Sequence, residues 1–297
     1  MHKSGFINII GKPNVGKSTL MNALMKEKLS IITSKPQTTR HRILGILSDE
    51  SYQAVFSDSP GIIDEPKYGL QKSLNKFAFS SFEDADILIF VIDLFEQYTG
   101  EEPEILSLQK TESVKFLVIN KVDLDKEGKL ELIKEKWANL LSFDKLFCIS
   151  ALNKEGVDEL RDEIIDALPE GPVYFDKDQL SDKPERFFVS EIVRAQLLQL
   201  YKQEIPYSCE VVVEQFKDEI SRKGPILRIS ALIYVERETQ KAIILGHKGT
   251  AIKRLGIEAR KEIEEFFGKH VHLELYVKVK ENWRDEESSL RNFGYEH

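Results

Sequence analysis

Residues 11–19 read GKPNVGKST, and this stretch restricts the possible folds more than any other. Gly11, Gly16, Lys17 and Ser18 stand at the spacing G-x-x-x-x-G-K-[ST], in which a glycine-rich turn aims successive backbone N–H groups at phosphate oxygens. Lys17 would reach the β- and γ-phosphates, as a catalytic as well as a binding group, and Ser18 would place its hydroxyl on Mg²⁺. Lys12, Pro13, Asn14, Val15 and Thr19 complete the cradle. Residues 6–10 form a short apolar run of strand length before the loop. After it, Leu20, Met21, Ala23 and Leu24 recur at helical spacing, so a helix N-terminus also faces the phosphates. A nucleotide site between a strand and a helix is expected.

The segment SIITSKPQTTRHR that follows lacks an apolar period and reads as a loop. Thr38 and Thr39 are its candidates for reaching Mg²⁺ and the γ-phosphate, with Thr39 preferred. Residues 43–47 and 52–56 alternate like a hairpin. The second run leads into Asp58, Ser59, Pro60 and Gly61, where a carboxylate at a strand end can hold Mg²⁺ through its water. The glycine can offer its N–H to the γ-phosphate. Ile62 comes next; an apolar side chain cannot orient a water, so basal hydrolysis should be slow.

Residues 87–92 and 114–119 are continuous apolar runs, as expected of central parallel strands buried on both faces. The second ends in Asn120, Lys121, Val122 and Asp123. A carboxylate in such a loop accepts hydrogen bonds from N1–H and the exocyclic amine of guanine, and adenine offers neither donor there. Asn120 would brace the loops, and Lys121 would cover the ring with its alkyl stem. A further strand at 146–149 leads into Ser150, Ala151 and Leu152, whose backbone can contact the guanine oxygen.

Residues 157–168 carry helical apolar spacing and stop at the cluster Pro169-Glu170-Gly171-Pro172. The expected organisation is a nucleotide domain over 1–172, a linker over 173–184 and a second domain over 185–297. Net charge is −8 over 297 residues, and the first 172 residues carry nearly all of it: about 21 Lys and Arg against 28 Asp and Glu, with about 21 against 22 in the remainder. The whole molecule is therefore no basic nucleic-acid coat, though a near-neutral second half can still present a basic face. Cys148 and Cys209 are far apart with no C-x-x-C pair and read as buried thiols of a reducing cytosol. No room for a signal peptide is expected ahead of the first strand, and the longest apolar stretch is far too short to span a bilayer.

In the second domain a helix is expected over 185–204, with strands at 209–215, 227–235 and 241–245. Gly246-His247-Lys248-Gly249 follows, then a helix over 250–267, a strand over 270–279, and a tail helix over 284–294 preceded by Trp283. A G-x-x-G loop ahead of a long helix is the element that clamps an RNA backbone in KH domains. Its glycines admit phosphates closely, and Lys248, Lys253 and Arg254 supply charge. The tail reads as core packing in preference to a lid over RNA.

Taken together, the nucleotide-binding stretches resemble the translation-factor class of GTPases. Within it they are similar to the group carrying GKPNVGKST, a TTR switch and an apolar residue after D-x-x-G. That likeness implies that Asn14 helps bind a potassium ion; Asn14 as a mere turn-former stays an equal alternative. Joined to a KH domain, and with PQTTRHRI, DSPG, NKVD, GHKG and the ending VKVKENWRDEESSLRNFGY, the chain resembles the Era GTPases of bacteria over nearly its full length. The resemblance implies an α/β P-loop GTPase domain, with a mixed, mostly parallel sheet and helices on both faces, followed by a smaller α+β KH domain of type II. It also implies a monomeric cytoplasmic GTPase using GTP, GDP and Mg²⁺. Such a protein would bind the 3′ end of 16S ribosomal RNA, assist small-subunit assembly and associate peripherally with the inner face of the plasma membrane. Two rival readings are a nucleotide-gated RNA chaperone with negligible turnover and a membrane-associated regulatory GTPase.

Overall fold

The computed structural model describes residues 2–33, 35–95, 97–221 and 224–295. The chain divides into two compact units. The first comprises residues 1–30, 39–67 and 71–182; the second comprises 31–38, 68–70 and 183–297.

In the first unit the elements run β1 (Lys3–Ile10), α1 (Lys17–Met25), β2 (Ile43–Ser48), β3 (Tyr52–Asp58), α2 (Gly69–Ser80, whose first two residues fall with the second unit) and β4 (Ile87–Asp93). They continue with α3 (Pro103–Lys110), β5 (Val114–Asn120), α4 (Leu130–Leu140), β6 (Lys145–Cys148) and α5 (Val157–Ala167). The sheet order is β2-β3-β1-β4-β5-β6, with only β2 antiparallel to its neighbour. Every residue of β4 is buried, which is why its sequence is apolar without alternation. β1 lies between β3 and β4, where the strand order reverses, and ligands of open α/β sheets bind at the carboxyl ends of such strands. The phosphate loop, Asp58, Asp93 and Asn120 all sit at that end of the sheet.

The edge strand β2 is covered by the chain's own return. Ile46 N–H donates to Leu180 O (2.9 Å), Leu44 N–H to Asp182 Oδ1 (2.9 Å) and Ser181 Oγ to Leu44 O (2.6 Å). Tyr174 and Phe175 N–H both donate to Gln53 Oε1. Residues 173–182, expected to link, are thus laced along the sheet and shield an edge that would otherwise be left unpaired.

The second unit contains α6 (Glu185–Leu200), β7 (Glu210–Ser221), β8 (Gly224–Val235), α7 (Glu238–Leu245), α8 (Thr250–Phe267), β9 (His270–Val279) and α9 (Glu287–Asn292). β7 and β8 are antiparallel and β8 and β9 parallel, so β8-α7-α8-β9 is a crossover unit on a three-stranded sheet. Leu255, Ala259 and Ile263 recur every four residues along α8 and are fully buried, and Gly268 ends the helix in the left-handed region at φ 62.

Several expectations are corrected. Residues 241–245 are the end of a helix, not a strand. Gln240 Oε1 accepts from the N–H groups of Glu236 and Arg237, which caps α7, and of the Ile-Ile pair only Ile244 is buried. Local capping there outweighs β-branched propensity. α6 stops at Leu200 rather than 204, because the backbone turns extended at Tyr201 (φ −109, ψ 157), and Gln203 then adopts a left-handed conformation (φ 55) ahead of Pro206. The β7–β8 hairpin runs longer than its apolar pattern: the backbone ladder continues through pairs such as Asp218 with Leu227 and Glu219 with Ile226, and the Arg228–Glu219 ion pair at 3.0 Å adds to it. The tail helix is short, Glu287–Asn292. Cys209 is buried, its thiol donating to Ile205 O at 3.0 Å, and Cys148 is half-buried; neither is in a disulfide.

Candidate functional site

The phosphate loop is shaped by close approaches. Gly16 takes φ 104, and a Cβ there would lie 2.2 Å from Asn120 Nδ2. A Cβ on Gly61 would lie 2.6 Å from Pro13 N, so the segment after Asp58 rests against the loop. Asn14 is exposed with φ 67, a left-handed turn position. Val15 is fully buried. Lys17 is 7% exposed and folds back, its ammonium donating to the carbonyls of Gly11 and Lys12 at 2.9 Å each. These carbonyls hold the charge that phosphate oxygens would take over.

Three oxygens converge beside it. Ser18 Oγ donates to Asp58 Oδ2 at 2.6 Å and lies 3.0 Å from Thr39 Oγ1. Asp58 is fully buried, and its second oxygen has no hydrogen-bond partner among the described residues. Burial pushes its carboxyl above the usual range, opposed by the Ser18 hydrogen bond and the charge of Lys17. Two hydroxyls around a buried, half-satisfied carboxylate form a hard oxygen set of the kind that suits Mg²⁺. Thr38 is turned elsewhere: its hydroxyl donates to Lys35 O at 2.7 Å and lies 2.6 Å from Thr33 Oγ1. Ser59 is buried and reaches Ile9 O, and Pro60 is buried. The Ile62 side chain is 4% exposed and packs among Ile10, Phe90 and Ile92, leaving only its backbone to the site. Thr19 lies half-buried in the first turn of α1.

The loops beyond β5 and β6 form the opposite wall. Asn120, 3% exposed, donates to Val15 O and accepts from Ala151 N–H, both at 2.9 Å. One side chain thereby ties the phosphate loop to the Ser150–Leu152 turn. Ser150 N–H is spent on Glu155 O, so of the three turn amides Leu152 N–H alone is left unbonded among the described residues. Asp123 is exposed in a single helical turn, Val122–Leu124, that starts from a left-handed Lys121 (φ 63). Lys121 Nζ ends 2.5 Å from Asp93 Oδ2, a partner that spacing did not reveal.

In the second unit, Gly246 takes φ 69, and a Cβ there would lie 2.6 Å from that of Ala251. A Cβ on Gly249 would meet nothing within 4 Å, which leaves that face of the loop open. His247 and Lys248 are exposed. From the next turn a cleft of about 350 Å³ runs along α8 and β9, with Ile252, Ile257, Leu273 and Leu275 as its apolar lining and Lys253 and Arg260 as its cations. Gly256 also lines it. Arg254 does not, because it sits about 100° around the helix from Lys253. Arg260 was missed from the sequence, although i, i+7 spacing from Lys253 puts it on the same face.

Residues 6–121 match the model of the 50S ribosome-binding GTPase family, residues 74–170 the elongation factor Tu GTP-binding domain and residues 204–284 the KH domain. The chain is 46% identical over 296 residues to the GTPase Era of Syntrophus aciditrophicus, covering 99% of this chain and 96% of that one. The chain belongs to the Era GTPase family. This Era-family GTPase is also 44% identical to a chloroplastic ERA-like GTPase of Oryza sativa, over 99% of its own length and 70% of that relative's. A crystal structure of Era in complex with MgGDPNP and nucleotides 1506–1542 of 16S ribosomal RNA superposes with TM-score 0.90 at 38% identity, covering all of both chains. A crystal structure of a variant Aquifex aeolicus Era bound to GDP and AlF4⁻ gives 0.89 at 38% identity, covering 99% of this chain and 100% of that one. Among the described residues no helix is long and apolar enough to cross a membrane.

Proposed function

We infer that this Era-family GTPase is a GTP-hydrolysing switch that binds the 3′ end of 16S ribosomal RNA and assists assembly of the small ribosomal subunit. The observation that carries the reading is the presence, in one chain, of the Ser18–Thr39–Asp58 oxygen set beside a phosphate loop and of a cation-rimmed groove behind a G-x-x-G turn. An Era that matches this chain over its full length binds that RNA and MgGDPNP.

The residues divide the work. Backbone N–H groups of the phosphate loop, Pro13 excepted because it has none, surround the phosphates, and Lys17 leaves the Gly11 and Lys12 carbonyls for phosphate oxygens. Ser18, Thr39 and Asp58 are the residues that would hold Mg²⁺, which neutralises charge on the β- and γ-phosphates when bound. Thr39 is the γ-phosphate sensor, and Gly61 offers its N–H on the other side. Asp123 takes N1–H and the amine of guanine, and Leu152 N–H its oxygen. With Ile62 buried, no side chain next to Gly61 orients a water, so unassisted turnover is slow. Asn14, exposed at the loop's apex, is the residue through which potassium would act; equal rates in sodium and potassium buffers would refute that part. Membrane attachment, where it occurs, would be peripheral and electrostatic.

Single-stranded RNA would lie along α8 and β9, its backbone against Gly249 and Lys248 and its bases over Ile252 and Leu275. The test is GTP turnover with the 3′-terminal 16S oligonucleotide against a scrambled one, alongside gel shifts of the His247→Asp/Lys248→Glu and Lys253→Glu/Arg260→Glu variants. Selective stimulation, lost in both variants while GDP binding persists, is expected. Undiminished RNA binding in both variants would overturn the groove assignment.

A further inference from the structure

Lys121 occupies a backbone conformation that a side-chain-bearing residue adopts at a cost, with φ 63 and ψ 33. Its side chain is equally constrained. Nζ lies 2.5 Å from Asp93 Oδ2, and the Asp93 side chain is only 7% exposed against 31% for Lys121. The carboxylate is itself held, because Oδ1 accepts from the N–H of Phe95 at 2.9 Å. Asp93 closes β4 directly opposite Asn120 of β5 in the sheet register. Two adjacent strand ends therefore fix two successive residues of the base loop: Asn120 through Val15 and Ala151, and Lys121 through Asp93.

We propose that Asp93 is a positioning residue for guanine recognition: by anchoring the Lys121 ammonium it stretches the lysine stem across the base pocket before nucleotide arrives. This rests on the reading that the Asn120–Asp123 segment receives the base. A free lysine side chain carries about 2 kcal/mol of rotamer entropy, which would otherwise be lost as the base binds. With the ammonium already tethered, the stem meets the face of the ring without that loss, and a preorganised wall slows departure more than it speeds arrival. Asp93 reaches the nucleotide only through Lys121. Its contribution should therefore disappear when Lys121 is truncated.

The test measures release of a fluorescent GDP analogue and binding of GDP and of inorganic tripolyphosphate by the full chain. Asp93→Ala should speed release and weaken GDP by about tenfold, and the isosteric Asp93→Asn, which keeps a neutral hydrogen bond, should fall between it and the parent. Tripolyphosphate, which has no base, should bind all three alike, whereas a general loss of folding would weaken it too. In GTP turnover the loss should fall on KM. Lys121→Ala should be as weak as Asp93→Ala combined with Lys121→Ala. Release rates of Asp93→Ala and Asp93→Asn within twofold of the parent, or additive losses in the double variant, would overturn the proposal. A parallel Asp123→Asn variant separates the underlying reading: a carboxamide can donate to the C2 oxygen of xanthine, so preference should move from GDP towards XDP. Absence of that shift would overturn the base-loop assignment on which the role of Asp93 rests; its presence with an inert Asp93→Ala would overturn the role of Asp93 alone.

Discussion

Asn120 spans 105 residues of sequence to reach Val15 and 31 to reach Ala151, and Asn120→Ala removes both bonds at once. The groups left behind cannot turn to water, because Val15 is fully buried and Ala151 is 3% exposed. A buried carbonyl or amide left without a partner costs about 1–3 kcal/mol, and two such groups sharing one vacated space put the expected loss at about 2–4 kcal/mol. For a unit of this size 1 kcal/mol moves Tm by about 2–4 °C, so the transition of the first unit should fall by about 4–16 °C in scanning calorimetry. Asn120→Asp sharpens the test. It keeps an acceptor for Ala151 N–H but points a second acceptor at Val15 O, so it should lose stability despite its nearly identical shape. GDP affinity should fall in both variants, since the phosphate loop and the base loops would no longer be tied. A Tm for Asn120→Ala within 1 °C of the parent, or an Asp variant as stable as the parent, would refute the bracing role.

Two further outcomes are expected. Glu104 is fully buried in α3, and neither carboxylate oxygen finds a partner in another described residue. Burial raises its pKa above the ordinary 4.5, offset in part by its own backbone N–H and the charge of Lys12. The folded state then holds this proton at pH values where the unfolded chain has lost it, so stability falls as pH rises above about 4.5. Glu104→Met should be more stable than the parent by about 1–3 kcal/mol at pH 8, with the gap closing towards pH 4.5 in urea unfolding; a pH-independent difference would refute this. In the second unit, Trp283 is fully buried, donates from Nε1 to Ser208 O at 3.0 Å and packs edge-on to Phe293. Trp283→Ala should cost about 3–5 kcal/mol in denaturant unfolding, whereas a change below 1 kcal/mol would mean that the tail is not part of the core.

What the sequence determined by itself was local. A glycine-rich turn between a strand and a helix, an acidic residue at the end of β3, NKVD at the end of β5 and GHKG ahead of α8 are each legible because their chemistry needs neighbouring residues at fixed spacing. Strands buried on both faces, such as β4, and strongly amphipathic helices, such as α8, were legible for the same reason. Tertiary structure decided the rest, wherever a partner lies far along the chain. It used the Ala151 amide to hold Asn120. It drew residues 173–182 along β2, made the Ile-Ile run of α7 helical through the Gln240 cap, and closed the Lys121 side chain on Asp93. Spacing encodes backbone geometry over a few residues. A hydrogen bond formed across a hundred residues depends on which strand ends the sheet brings side by side, and no local pattern carries that information.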